Sequence, residues 1–270
     1  MSYADVNGVR MYYEERGSGQ PLILVHGGLG AGDMYGPILE ILAEGRRVIT
    51  PDLQAHGHTA DVDRPLRYES LGDDLAGLIV HLGLEQADVM GYSLGGGSAL
   101  RVAIQHPHLV RRLVIVASPC RRGGWHAESL AGMEQMGAHL AEPLKQSPPY
   151  EVYSRTAPRP QDWPVLLGKT GDLLRRDYDW SAEIAKITAP VMLVYGDADS
   201  IRPAHIAEFY GLVGGGLRDA NWDNSARSVA RLAVLPGRTH YDIFAAPELA
   251  AAVIPFLDAV SLEPPPPMGP

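Results

Sequence analysis

Three groups able to run acyl transfer stand in order along the chain: a serine among glycines, an acidic pair closing an apolar run, and a late histidine. Ser93 is the centre of Gly91-Tyr92-Ser93-Leu94-Gly95, which fits G-x-S-x-G. The segment before it, ADVMGYS, reads as a strand, and LGGGSALRVAIQHP after it reads as a helix ended by Pro107. A sharp strand-to-helix turn is the setting in which this motif lifts a serine hydroxyl out of a sheet. The alternative is an ordinary glycine-rich turn. A serine hydroxyl is a weak nucleophile at neutral pH and needs a general base beside it. AVLPGRTHYDIF places His240 in the loop after the last predicted strand. Among the other histidines, His81 lies in the apolar LIVHLGL and is expected to be packed, while His26 is expected to be structural in its loop. His240 alone combines a late strand end with the order serine, acid, histidine.

The acid must hold the imidazole in one tautomer and stabilise its cation. VMLVYGDADS ends a strand with two candidates. Asp199, three residues beyond Gly196, has turn enough to swing towards a histidine loop; Asp197 reads as a brace for the turn, and Asp242 as a turn residue. A tetrahedral intermediate also needs donors aimed at its oxyanion. The backbone N–H of Leu94 is one, and Gly28 of HGGLG is expected to supply the other, with Leu29 N–H as the fallback.

These residues can meet only if the elements between them bring strand ends together. YADVNGVRMYYEERG carries Asn7-Gly8 between two alternating segments, a hairpin signal. PLILVHGG is a continuous apolar run, which suits a strand buried on both faces. Helix PILEILAEG, strand RVITPDL and helix YESLGDDLAGLIVHLGL follow, the last with Leu71, Leu75, Leu78, Ile79 and Leu82 at helical spacing. After the serine helix comes strand VRRLVIVAS. From Pro119 to about Ala189 the alternation fails; so long a structureless loop is out of place in a compact domain, and the stretch reads as an inserted helical cap. Strand APVMLVYGD, helix PAHIAEFYGLV, strand ARLAVLPG and helix APELAAAVIPFLDA resume the pattern. Alternating strands and helices imply a mostly parallel sheet with helices on both faces and chemistry at the carboxyl ends of the strands. The expected division is a core of residues 1–118 and 190–260, a cap of 119–189 and a disordered, proline-rich tail of 261–270.

The motif and its setting resemble the α/β-hydrolase fold family, from HGG to the final helix. PDLQAHGHT resembles the family's D-x-x-G-x-G-x-[ST] turn, with Ala55 where glycine is usual. The resemblance implies eight strands, the second antiparallel, a cap inserted after the sixth, and neither cofactor nor metal. By the same analogy, a serine nucleophile speaks against dehalogenases and epoxide hydrolases, which use aspartate at this position.

Composition bounds the partners. A net charge of −9 with scattered arginines argues against a nucleic-acid surface. The single cysteine, Cys120, excludes an internal disulfide framework and a cysteine-based zinc site. No charged segment followed by an apolar run opens the chain, and no stretch approaches the ~18 apolar residues of a membrane span, so a soluble cytoplasmic protein acting on a small molecule is expected. The expected reaction is hydrolysis of a small, largely apolar carboxylic ester, with Trp125, Met136 and Leu29 as the pocket candidates. A lactonase, a C–C bond hydrolase or a cofactor-free perhydrolase would use the same triad. A ligand-binding receptor on the same fold would need no intact triad.

Overall fold

The computed structural model describes residues 2–262. The proline-rich end assigned to a disordered tail lies, from residue 263 on, outside the described residues. Asn7 and Gly8 both adopt positive φ, the signature of the tight turn that matches strand twist, and they join β1 (Ser2–Val6) to β2 (Val9–Arg16). Then come β3 (Gln20–Val25), α1 (Ile38–Ala43), β4 (Arg46–Pro51), α2 (Tyr68–His81), β5 (Ala87–Tyr92), α3 (Leu94–Gln105) and β6 (Val110–Val116). Helices α4 (Ala127–Gln135), α5 (Pro148–Thr156) and α6 (Trp163–Arg175) occupy the long interval before β7 (Val191–Ala198). The chain closes with α7 (Pro203–Leu212), β8 (Arg231–Thr239) and α8 (Pro247–Asp258).

The eight strands form one sheet in the order β1-β2-β4-β3-β5-β6-β7-β8. β2 is antiparallel to both neighbours and every other pairing is parallel. The apolar runs are continuous because successive side chains serve opposite faces. Leu22 and Leu24 of β3, with Val114 and Val116 of β6, face the layer of α1 and α8; Ile23 and Val25, with Leu113 and Ile115, face that of α2, α3 and α7. Leu71, Leu75, Leu78 and Ile79 of α2 are buried as their spacing required, and Leu82 packs half-buried beside them. β8 is a sheet edge with Leu232 and Val234 exposed, interrupted by Pro236, a residue that blunts pairing with further strands.

A third apolar cluster belongs to the helical insertion: Tyr153, Trp163, Leu166 and Leu167 pack with Ala141 and reach Ala55 and Leu29 of the sheet loops. Lys169 of α6 lies 2.7 Å from the Asp61 carboxylate and donates to the carbonyls of Val62 and Arg64, joining the insertion to the loop after β4. Among the described residues no helix is long and apolar enough to cross a membrane.

Candidate active site

Ser93 stands between β5 and α3 with φ 54° and ψ −118°, a conformation that L-residues avoid and that surrounding structure must impose. Its N–H extends the sheet to Val116 O at 3.0 Å. The flanking glycines are required by close approach. A Cβ on Gly91 would lie 2.1 Å from Gly95 O, and one on Gly95 would lie 2.3 Å from His26 O. No side chain fits there, so sheet and helix can close tightly enough to force the serine outward.

The structure brings Ser93, His240 and Asp199 together across 147 and 41 residues of intervening separation. Ser93 Oγ is 3.1 Å from His240 Nε2, and His240 Nδ1 is 3.1 Å from Asp199 Oδ1. The acid is itself fixed, because Gly196 N–H donates to Asp199 Oδ2 at 3.2 Å. A carboxylate only accepts, so Nδ1 carries the proton and Nε2 is left to accept from the serine. Asp199 is 9% exposed and His240 7%, so the pair works largely out of water, where electrostatic contacts are stronger. Asp197 does something else: its Oδ1 accepts from Gly237 N–H at 2.9 Å and braces the bend in β8. Asp242 accepts from the N–H and hydroxyl of Thr239, each at 2.7 Å, and shapes the histidine loop as a turn residue.

Leu94 opens α3, so its N–H has no acceptor within the helix. Gly28 lies beside it, since a Cβ there would stand 3.6 Å from Leu94 Cδ1. Leu29 takes φ 59° in the turn closed by Gly30 N–H to Gly27 O at 3.2 Å, and its side chain packs against the insertion's apolar cluster. His26 is buried and uses both ring nitrogens, Nδ1 at 2.7 Å from Gly27 O and Nε2 accepting from Leu53 N–H at 3.0 Å. It ties the loop after β3 to the loop after β4; burial holds its basicity below the usual histidine range. In that second loop Ala55 takes φ 67°, so the turn keeps the left-handed residue its usual glycine supplies and bears the strain on alanine. Asp52 organises the turn, accepting from Gly32 N–H at 2.7 Å and His58 N–H at 2.8 Å.

The remaining candidates fall differently. Met136 ends α4 and packs into the insertion's own cluster. Trp125, 5% exposed, lies against the imidazole of His240, ring centres 5.3 Å apart at 70°. His81, expected to be packed, is exposed, because it falls on the solvent side of α2. One contact had no signal in spacing at all. The Tyr92 hydroxyl donates to His240 O at 2.6 Å and the Tyr92 ring lies 5.3 Å from the imidazole, so the variable position before the serine steadies the histidine loop.

The chain is similar to known proteins of one fold family. The profile of the alpha/beta hydrolase fold family matches residues 20–151. The pimeloyl-[acyl-carrier protein] methyl ester esterase of Aromatoleum aromaticum (strain DSM 19018 / LMG 30748 / EbN1) is 31% identical over 215 residues, covering 70% of this chain and 83% of that protein. The 2-hydroxymuconate semialdehyde hydrolase of Pseudomonas sp. (strain CF600) is 38% identical over 115 residues, 41% of each chain. Among solved structures, E-2-(acetamidomethylene)succinate hydrolase superposes with a TM-score of 0.73 at 22% identity, covering 96% of this chain and 98% of that one.

Proposed function

The chain belongs to the alpha/beta hydrolase fold family, and on that premise we propose that it hydrolyses a small, largely apolar carboxylic ester through an acyl-enzyme on Ser93. The observation supporting this most strongly is the continuous path from Ser93 Oγ through both nitrogens of His240 to Asp199, with 3.1 Å at each joint. Ser93 Oγ attacks the ester carbonyl carbon while its proton passes to His240 Nε2. The imidazolium is held by Asp199 and the oxyanion by the N–H groups of Gly28 and Leu94. Collapse expels the alcohol, which takes the proton from Nε2. Water then attacks the acyl carbon, giving a proton to His240, and the acid leaves with Ser93 restored.

In this reading the helical insertion, residues 119–189, is a cap over the site. Its cluster at Leu29 and Ala55 supports an apolar wall on the acyl side. Residues 119–189 contain nine Lys or Arg and nine Asp or Glu, and several pair locally, as Arg175 does with Asp172 and Arg159 with Asp162. A substrate tethered to a carrier protein would call for a docking face of one sign, so the balance favours a free ester. The decisive experiment measures hydrolysis of p-nitrophenyl butyrate and labelling by a fluorophosphonate. Both are expected in the native chain and neither in Ser93→Ala; an equal rate in Ser93→Ala sinks the reading.

The stretch similar to 2-hydroxymuconate semialdehyde hydrolase supports a second reading, C–C bond hydrolysis of a diketone, using the same serine, histidine and acid. Product analysis on a matched ester and diketone separates the two, the faster substrate by kcat/KM deciding.

A further inference from the structure

The insertion does more than lie over the site. After β6 the chain passes Pro119, turns at residues 122–124, and runs beside the segment that follows the acid. Trp125 and Ile201 form an antiparallel bridge. His126 N–H donates to Ser200 O at 2.9 Å and Arg202 N–H to Gly124 O at 2.9 Å, while the Arg202 guanidinium holds Gly123 O. Residues 200–202, the three that directly follow Asp199, are thus laced to residues 123–126, the root of the insertion. The packing there has no slack: a Cβ on Gly124 would lie 2.4 Å from His205 Cδ2 and 2.5 Å from Pro119 Cβ.

From this root the Trp125 ring reaches the base. The His240 imidazole has the Tyr92 ring on one side, tilted at 38°, and the Trp125 ring on another at 70°, each centre 5.3 Å away. Asp199 fixes the Nδ1 end only, and a ring hinged at one hydrogen bond can still tilt Nε2 away from the serine. Tyr92 belongs to the sheet, Trp125 to the insertion. Misplacement of a reacting group by about 1 Å costs on the order of 10²-fold in rate.

We propose that residues 123–126 are a positioning element of the triad: their ladder fixes the Asp199 loop, and Trp125 sets the plane of the His240 ring. Seating the insertion and aligning the base are then one mechanical event. The inference rests on the reading of Ser93, His240 and Asp199 as the reactive set. It assigns Trp125 a different role from a wall of the acyl pocket, and the two roles separate in kinetics. A wall is felt in proportion to acyl length and in KM; alignment is felt equally by every substrate and in kcat.

The test uses the full chain with p-nitrophenyl acetate and p-nitrophenyl hexanoate, and the rate of labelling of Ser93 by an ethyl fluorophosphonate. Trp125→Leu is expected to lower kcat about 30-fold on both esters with KM within about twofold, and to slow labelling by a similar factor. Trp125→Phe, which keeps a flat ring, is expected to recover to within about threefold of the native kcat. Gly124→Ala keeps the indole but wedges the root against His205 and Pro119, and is expected to lose kcat on both esters alike. An unchanged kcat in Trp125→Leu, or a loss confined to the hexanoate and expressed in KM, overturns the proposal. Should Trp125→Leu fail to fold, a folded Gly124→Ala with native kcat overturns it alone. A native chain that the probe does not label at Ser93 defeats the underlying reading instead, which keeps the two failures apart.

Discussion

At the carboxyl ends of the strands, Leu29, Ala55, Ser93 and Ala117 hold positive φ in the loops after β3, β4, β5 and β6. At the amino ends, Arg46, Arg111 and Arg112 converge instead on the last turn of α8. Arg112 donates to Leu257 O and Ala259 O, Arg111 reaches Leu257 O at 3.1 Å, and Arg46 pairs with Asp258. The carbonyls that end a helix have no partner within it and carry its negative pole, so the Arg111 and Arg112 guanidinium groups there satisfy both demands and Arg46 adds a third positive charge. Of the non-glycine residues at positive φ among the described residues, the others are Asn7, Asn221 and Asn224, the residue type that tolerates this conformation in turns. Strain that has no such excuse is gathered at one rim, and that rim holds Ser93, His240 and Asp199, the proposed reactive groups. The lesson is a division of labour within one sheet: one end closes the fold with stable charge pairs, and the other spends stability on holding groups where chemistry needs them.

The sharpest way to break this contrast is to remove single atoms from the reactive rim. Ser93→Ala should lower esterase kcat on the order of 10³-fold or more with little change in melting temperature. Thermal melting and turnover on one preparation check both halves. Asp199→Asn should cost roughly 10²- to 10⁴-fold, because an amide N–H facing Nδ1 favours the wrong tautomer. Asp197→Asn, two residues away but spent on Gly237 N–H, should change kcat less than about threefold. If Asp197→Asn is the more damaging change, the acid has been misassigned.

Much of the reactive rim was legible because its constraints are local in sequence. G-x-S-x-G is readable because two glycines must vanish against Gly95 O and His26 O, and the acid's distance from Gly196 followed from how far a turn must travel. Strand alternation was legible in the unbroken apolar runs of β3, β6 and β7, whose two faces are both buried. Contacts made through free side-chain ends across the fold were not. Tyr92 sits at a position where the motif tolerates anything, and its bond to His240 O depends on a loop 148 residues later. Trp125 advertised only apolar surface, which fits a pocket wall as well as a partner for an imidazole. In the sequence the arginines at the other rim belong only to a scattered set, because nothing local announces that α8 ends against them.

That other rim gives a prediction of opposite kind. Arg112, 6% exposed, has two carbonyl partners at the end of α8 and no neighbour among the reactive groups. Arg112→Met keeps the stem and removes the donors. It should destabilise the fold by about 1 kcal/mol, the cost of leaving the Ala259 carbonyl unpaired while Arg111 still donates to Leu257 O. The rate of fluorophosphonate labelling of Ser93 at a temperature where the variant is folded should stay native. A labelling rate that falls with stability would show that the two rims are not separable, and the division drawn above would fail.

The mildest probe is acid, which should discriminate between the rims because they bury different titratable groups. His26, His56 and His205 are buried near the carboxyl ends, and burial lowers the basicity of each, His56 to a value of about 3. An unfolded histidine titrates near 6.5. The folded value is the lower one, so the unfolded chain binds the proton more readily; the neutral ring's contribution to stability is whole above about pH 6.5 and drains away as pH falls towards 3. For His56 the slope is on the order of 1 kcal/mol per pH unit within that window, and His26 and His205 add to it in the same direction. At the opposite rim burial raises the Asp88 carboxyl, so the folded chain binds that proton more readily and the contribution has the opposite sign, not draining away as pH falls. Hydrogen-exchange protection factors, corrected for the intrinsic rate at each pH, should therefore fall first between pH 6.5 and 4.5 in the loops after β3 and β4, with the last turn of α8 protected until global unfolding. His56 keeps one bond, Nδ1 to Gln54 O at 2.9 Å, and its Nε2 has no partner among the described residues. His56→Asn can still donate to that carbonyl while removing the titrating ring. Its denaturation midpoints, measured from pH 7 to 4.5, should decline less steeply than the native ones. Equal slopes would mean that His56 does not titrate in the fold, and earlier opening of α8 would place the acid-sensitive end of the sheet opposite to the reactive one.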